Sequence, residues 1–174
     1  ENPTDGTYFN FVSANVCWMG SYGWQDFQIA FTDANGVVLT CDFYACTQYE
    51  TNYLPSGEYL VNADYNCVYT DSYSFIDLND GGPLQDLQGG KVIVEEVDGQ
   101  YKFTFENVTY GAELKSFNGV FVGQVGSTAE GVGGMVVPSE YKEPEISDEV
   151  TELTIYSWFE SFNGENEHEL NFVY

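Results

Sequence analysis

Three features of the sequence predict an all-β chain folded as an antiparallel β-sandwich, immunoglobulin-like or jelly-roll-like. Aromatic and β-branched residues alternate with polar ones at period two along most of the chain. Turn pairs such as Asn35-Gly36 and Asp98-Gly99 separate these runs at short intervals. No window holds the i, i+3, i+4, i+7 spacing of an amphipathic helix for three turns. The 174 residues suit one sizeable core, 43% hydrophobic and 17% aromatic. At that length folding buries roughly 70% of the unfolded surface, so neither a metal nor a disulfide is required for stability.

The elements follow in order. Phe27, Ile29 and Phe31 alternate with Gln28 and Ala30, the run Thr32-Asp33-Ala34-Asn35-Gly36 supplies turn chemistry, and Val37 to Phe43 resumes extended structure. This is a hairpin. Leu54-Pro55-Ser56 turns the chain into a strand at Gly57-Glu58-Tyr59-Leu60-Val61. Lys91 to Glu96 leads through Asp98-Gly99, a two-residue hairpin loop, into Tyr101 to Glu106, where Tyr101, Phe103 and Phe105 share one sheet face. Gly111 turns the chain into Leu114 to Val122, with Phe117 and Phe121 facing inward and Gly119 marking a bulge or a close backbone approach. Residues 1–123 are thereby assigned to the sandwich.

Residues 124–147 are rich in Gly, Ser, Pro and Glu and read as a linker. Residues 148–174 read as a C-terminal β-hairpin, Leu153 to Phe159 and Leu170 to Tyr174 around Asn163-Gly164. It parallels the aromatic strand, glycine turn and aromatic strand of Val16 to Phe31. A lone hairpin is marginal in water, so it is expected to pack on its own sandwich or on a neighbouring one.

Within the sandwich, Leu54-Pro55-Ser56-Gly57-Glu58-Tyr59, Gly89-Gly90-Lys91-Val92-Ile93-Val94, Gly99-Gln100-Tyr101-Lys102-Phe103-Thr104-Phe105 and Phe117-Asn118-Gly119 form a recurring set of turn-entry, strand and hairpin phrases. Over residues 54–123 the chain resembles β-sandwich modules of surface lipoproteins of gut Bacteroidetes bacteria. The resemblance implies an exported sandwich and brings no catalytic motif with it.

Charge narrows the partners. With 28 acidic residues against 4 basic ones the net charge is -24, and none of the basic residues is arginine. Such a chain repels polyphosphate and offers no guanidinium fork to a base edge, so nucleic acid is not an expected partner. No run nears the ~18 apolar residues of a membrane-spanning helix. Glu1 to Gly6 lacks the basic and apolar regions of a secretory signal. Either the chain is cytosolic or a signal has been removed, and with the export that the resemblance implies, an extracellular or bacterial cell-surface location with the signal removed is the expectation. Cys17, Cys41, Cys46 and Cys67 are the disulfide candidates, with Cys41 and Cys67 the first pairing to consider. Their spacing does not supply a four-ligand zinc site.

Candidate sites are few. Trp18, Tyr22 and Trp24 cluster at a glycine-rich turn and Tyr44, Tyr49 and Tyr53 follow in a polar stretch. Flat rings beside Asp, Asn and Gln can stack on sugar faces while the polar groups take hydroxyls, so these six are the candidate glycan site. Asp77, Asn79 and Asp80 begin like a calcium loop, but Gly81 and Gln88 stand where later ligands belong, which rejects an EF-hand. An irregular calcium-binding loop is what remains, and no other cofactor is expected. His168, the one histidine, sits among polar neighbours without a nucleophile signature. Paired-carboxylate glycoside hydrolysis is the enzymatic alternative, and the acid-rich composition singles out no pair. The sequence thus reads as a non-catalytic extracellular bacterial surface module for adhesion, assembly or glycan binding. Its partner would be a glycan, another surface protein or copies of itself. The second alternative is a surface-filament subunit joined by strand addition.

Overall fold

The computed structural model describes residues 7–21, 25–45, 51–64 and 66–142, together with the backbone of 155–162 and 165–172. The chain divides into two units, Glu1–Tyr141 and Lys142–Tyr174.

The first unit is all-β. Its strands are β1 (Thr7–Ser21), β2 (Gln25–Asp33), β3 (Val38–Ala45), β4 (Gly57–Val61), β5 (Cys67–Tyr69), β6 (Phe75–Asp77), β7 (Gln85–Val97), β8 (Gln100–Tyr110), β9 (Lys115–Gly123) and β10 (Val125–Ser127). Hairpin pairing runs β1 to β2 to β3 and again β7 to β8 to β9. Between these meanders, β3 pairs with β5 at Asp42–Tyr44 and with β6 at Val38–Thr40, while β4 and β6 both pair with β7.

The expected sandwich is corrected at one seam. Thr7–Asn10 of β1 pairs in parallel with Phe117–Val120 of β9, so the sheet returns to its first strand and closes as a barrel. Period-two patterning is the same on a barrel wall and a sandwich layer. What bends the wall is local: register shifts interrupt the β1–β2, β7–β8 and β8–β9 ladders, and bulges of this kind add the coil that closure needs. Gly119 lies on the seam. A β-carbon there would sit 2.9 Å from the Phe9 carbonyl oxygen and 3.2 Å from the Phe11 ring, so the predicted close approach is the closure itself.

Interior packing is aromatic. Phe31 meets Phe103 at 4.9 Å and Phe105 at 5.1 Å, both edge-on, and Phe11 meets Phe105 at 5.3 Å. The sequence-predicted turns hold in detail. Asp33 Oδ1 accepts the Asn35 and Val37 N–H groups at 2.8 Å each, and Asp98 and Gly99 take φ values of 52° and 70°, which the two-residue loop requires.

The assigned linker, 124–147, is corrected over its first part. Val125, Met135 and Val137 are buried in the barrel core. Val136 N–H donates to Asn52 O at 3.0 Å, and the Tyr101 hydroxyl donates to Val136 O at 2.7 Å while accepting Leu54 N–H at 2.8 Å. The glycines of this stretch masked its spaced apolar residues. A short 3-10 helix, Pro138–Glu140, follows.

Cys17, Cys41 and Cys67 are free thiols, and Cys46 lies outside the described residues. A Cys41–Cys67 bridge is excluded by sidedness. Cys41 lies in the core with Phe43 and Leu39, whereas Cys67 opposes Tyr44 and so shares the other face of the sheet.

In the second unit, β11 (Ile155–Phe162) and β12 (Glu165–Phe172) pair antiparallel, Ile155 opposite Phe172 and Phe162 opposite Glu165. An antiparallel hairpin is the expectation here, with its second strand from Leu170; β12 instead begins at Glu165, so His168 falls on it opposite Phe159.

Candidate functional site

Alternation along β2 and β3 puts Phe27, Ile29, Cys41 and Phe43 inside the barrel, so Asp26, Gln28, Asp42 and Tyr44 occupy the outer face. The Asp33 turn fixes the register. Asp26 opposes Tyr44 and Gln28 opposes Asp42, which makes the two aspartates diagonal neighbours on that face. Trp18 comes from β1 opposite Gln28, just beyond a register shift, and Tyr69 comes from β5 opposite Asp42. Together with Cys17 and Tyr73 these side chains line a cavity of about 730 Å3. That volume is in the range of small-molecule sites.

The rings are held in place. Tyr44 and Tyr69 stack at 4.9 Å with planes 5° apart. Tyr69 donates its hydroxyl to Asp71 Oδ2 at 2.8 Å, and Gln28 Nε2 donates to the Tyr73 carbonyl at 3.1 Å, tying the turn before β6 to β2. Ser74 locks that turn from beneath: its hydroxyl accepts Asp42 N–H at 2.9 Å and donates to Tyr69 O. Trp18 is 40% exposed and Tyr73 55%, so both present ring surface to solvent. Gly20 gives the indole its room, since a β-carbon there would lie 2.3 Å from the Trp18 ring.

Beneath the rings lies the charge. Asp26 and Asp42 are each only 3% exposed although they are on the outer face. Burial first, then a hydrogen bond with Asp42 and the charge of Asp42, push the Asp26 carboxyl up to about 9, against a smaller opposing hydrogen bond from Tyr44. Burial also pushes Asp42 up, offset by its hydrogen bond with Asp26. The two carboxyls therefore share a proton at neutral pH. Asp26 Oδ1 has no hydrogen-bond partner among the described residues. Burial pushes the neighbouring Cys67 thiol up to about 11, which keeps it protonated and a poor nucleophile at neutral pH.

Two other concavities lack this combination. One of about 440 Å3, over Gly20, Gln25, Asn52 and Gly131, is lined among the described residues by no ionisable side chain. Another of about 580 Å3, between the chain at Pro83–Asp86 and that at Gly111–Lys115, is lined among the described residues by no aromatic ring.

Of the six aromatic residues expected at a glycan site, the fold brings Trp18 and Tyr44 together. Tyr53 stands apart, its ring 4.6 Å from that of Tyr141, and Tyr22, Trp24 and Tyr49 lie outside the described residues. Asp26, Gln28, Asp42, Tyr69 and Tyr73 were not expected there. For Asp26, Gln28 and Asp42 a signal existed: they are the polar, outward positions of two strands whose register the Asp33-Ala34-Asn35-Gly36 turn sets. Tyr69 and Tyr73 had none, because β5 is three residues long.

The oxygens of the candidate calcium loop have local uses. Asp77 Oδ1 accepts Asn79 N–H and Asp80 Oδ1 accepts Gly82 N–H, both at 2.8 Å, and Asn79 Nδ2 donates to Asn35 O at 3.0 Å. The first two are Asx turns, and the third ties the loop to the β2–β3 turn. Among the described residues no three acidic, histidine or cysteine side chains gather as a metal site, and no helix is long and apolar enough to cross a membrane. No protein family, curated protein or solved structure matches the chain.

Proposed function

We propose that this chain is a non-catalytic module of a bacterial cell surface that binds glycan in the cavity on the outer face of β2 and β3. The observation that carries the reading is the ring set itself: Trp18, the stacked Tyr44 and Tyr69, and Tyr73 around a polar floor of Gln28, Asp26 and Asp42. Rings with few rotors supply apolar area to the faces of a pyranose, and buried acceptors take its hydroxyls. The surface location rests on the likeness of residues 54–123 to surface lipoprotein modules.

The carboxylate geometry supports binding over hydrolysis. Glycoside hydrolysis separates its two carboxyls by at least about 5 Å so that a sugar carbon or a water fits between them. Here Asp26 and Asp42 are diagonal neighbours on one face, close enough that Asp42 raises the titration of Asp26. Strand addition draws less support, because the barrel seam pairs β1 with β9 and takes up the edge that a donated strand would use.

A glycan array of plant and host saccharides tests the proposal, read alongside Trp18→Ala. Binding to a defined saccharide class that falls at least about tenfold in the variant is expected, since one stacked ring contributes on the order of 1–2 kcal/mol. Silence across the array would reject it.

A further inference from the structure

Resting on that reading, we infer that the saccharide carries a free protonated amine, which the Asp26–Asp42 pair receives beneath the aromatic rings. Among the described residues the cavity is lined by two carboxyls and no basic side chain. Three of the four basic residues are engaged elsewhere, Lys91 with Glu58 at 2.7 Å, Lys102 with Glu95 at 2.8 Å and Lys115 with Glu113 at 3.2 Å. No cation from those pairs neutralises the aspartates.

Asp26 is the second, independent sign of a ligand. It is 97% buried by its 3% exposure, lines the cavity, and leaves Oδ1 without a hydrogen-bond partner among the described residues. A buried orphan oxygen is costly, and a carboxylate oxygen is costlier than a neutral one. A hydroxyl could satisfy the hydrogen bond of that oxygen but not the one negative charge that the proton-sharing pair retains. An ammonium does both, because its three N–H donors reach Asp26 Oδ1 and Asp42 together, and charge-assisted bonds are about twice as strong as neutral ones. Rings over the same cavity add cation–π attraction, best from an indole, and Trp18 supplies one.

A metal ion fits less well. Hard cations such as calcium take six or more oxygens, whereas two carboxyls and a ring of aromatic carbon offer few. The rings favour an organic cation. Their flat, exposed faces favour one borne on a sugar, which makes a hexosamine without its N-acetyl group the ligand class.

The test is a panel of glucosamine, galactosamine and mannosamine oligosaccharides, each prepared with free amines and fully N-acetylated, titrated calorimetrically at pH 6 and physiological salt. The free-amine form of at least one sugar should bind about tenfold or more tightly than its acetylated partner. Asp42→Asn should abolish that preference, because Asp26 already holds a proton at pH 6 and the pair's negative charge rests on Asp42, and Trp18→Ala should weaken binding of both forms. The variant Asp42→Asn changes the net charge by one unit out of 24, so general attraction of cations to an acidic protein would survive it. A preference that persists in Asp42→Asn overturns the inference. Equal affinity for the two forms overturns it too and leaves the glycan reading standing, whereas silence for every saccharide overturns both. Thermal melting of each variant shows that it is folded.

Discussion

At the scale of single residues, Asp26 is where the fold and the site meet. A carboxyl on the outer face of a barrel would ordinarily be solvated, yet Trp18 and the tyrosines cover it and hold it against Asp42. Its protonation follows with a definite sign. In the unfolded chain an aspartate titrates near pH 3.9, while in the folded one burial and Asp42 push it up to about 9. Between these values the folded state holds a proton that the unfolded state has lost. Stability contributed by that proton is complete below about pH 4, declines as pH rises by up to about 1.4 kcal/mol per unit, and is gone above the folded value. Asp26→Asn removes the titration, and its amide can still donate to Asp42. Urea midpoints of parent and variant should therefore diverge steadily in the variant's favour from pH 5 to pH 9. Parallel curves would mean that the pair does not share a proton.

Among the elements, long hairpins were legible and short bridges were not. Asp33-Ala34-Asn35-Gly36 and Asp98-Gly99 announce their turns because the chemistry is local: an Asx bond in one case, two positive φ values in the other. The outward positions of β2 and β3 were legible with them, and with those positions half of the candidate site. By contrast, β5 and β6 have three residues each, too few for alternation to show, and they exist only because neighbours pair with them on both sides, β3 and β4 for β5, β3 and β7 for β6. The seam between β1 and β9 was hidden for another reason, since it joins residues more than 100 positions apart and depends on bends that periodicity does not encode. Gly119 was the one local trace of it. Replacing Gly119 with Val places branched carbons against the Phe9 carbonyl and the Phe11 ring, so either the seam opens or the aromatic core shifts. A loss of about 2–3 kcal/mol in urea unfolding is expected, in the usual range for overpacking a tight contact. A variant as stable as the parent would show that the seam tolerates separation and that closure is not tight there.

On the scale of the whole molecule, the barrel unit holds what a stable domain needs. Its core runs from Phe9 to Val137, and the strap at 135–137 is tied down by the Tyr101 hydroxyl rather than left free. Removing residues 142–174 still leaves 141, a length at which folding buries about two thirds of the unfolded surface. The closed ladder from β1 round to β9 is contained within them. A chain ending at Tyr141 should accordingly melt in one cooperative transition, within about 3 °C of the full chain, a shift that corresponds to roughly 1 kcal/mol at this size. Calorimetry of the two chains decides it. The sequence alone argues the opposite, that the terminal hairpin completes the core of its own or a neighbouring domain because a lone hairpin is marginal. If the shortened chain loses cooperative melting and binds a hydrophobic dye, that argument is right and the barrel is not self-sufficient. If it melts as the full chain does, the hairpin is an addition to a finished barrel, and its partner must be sought by mass in solution rather than inside the core.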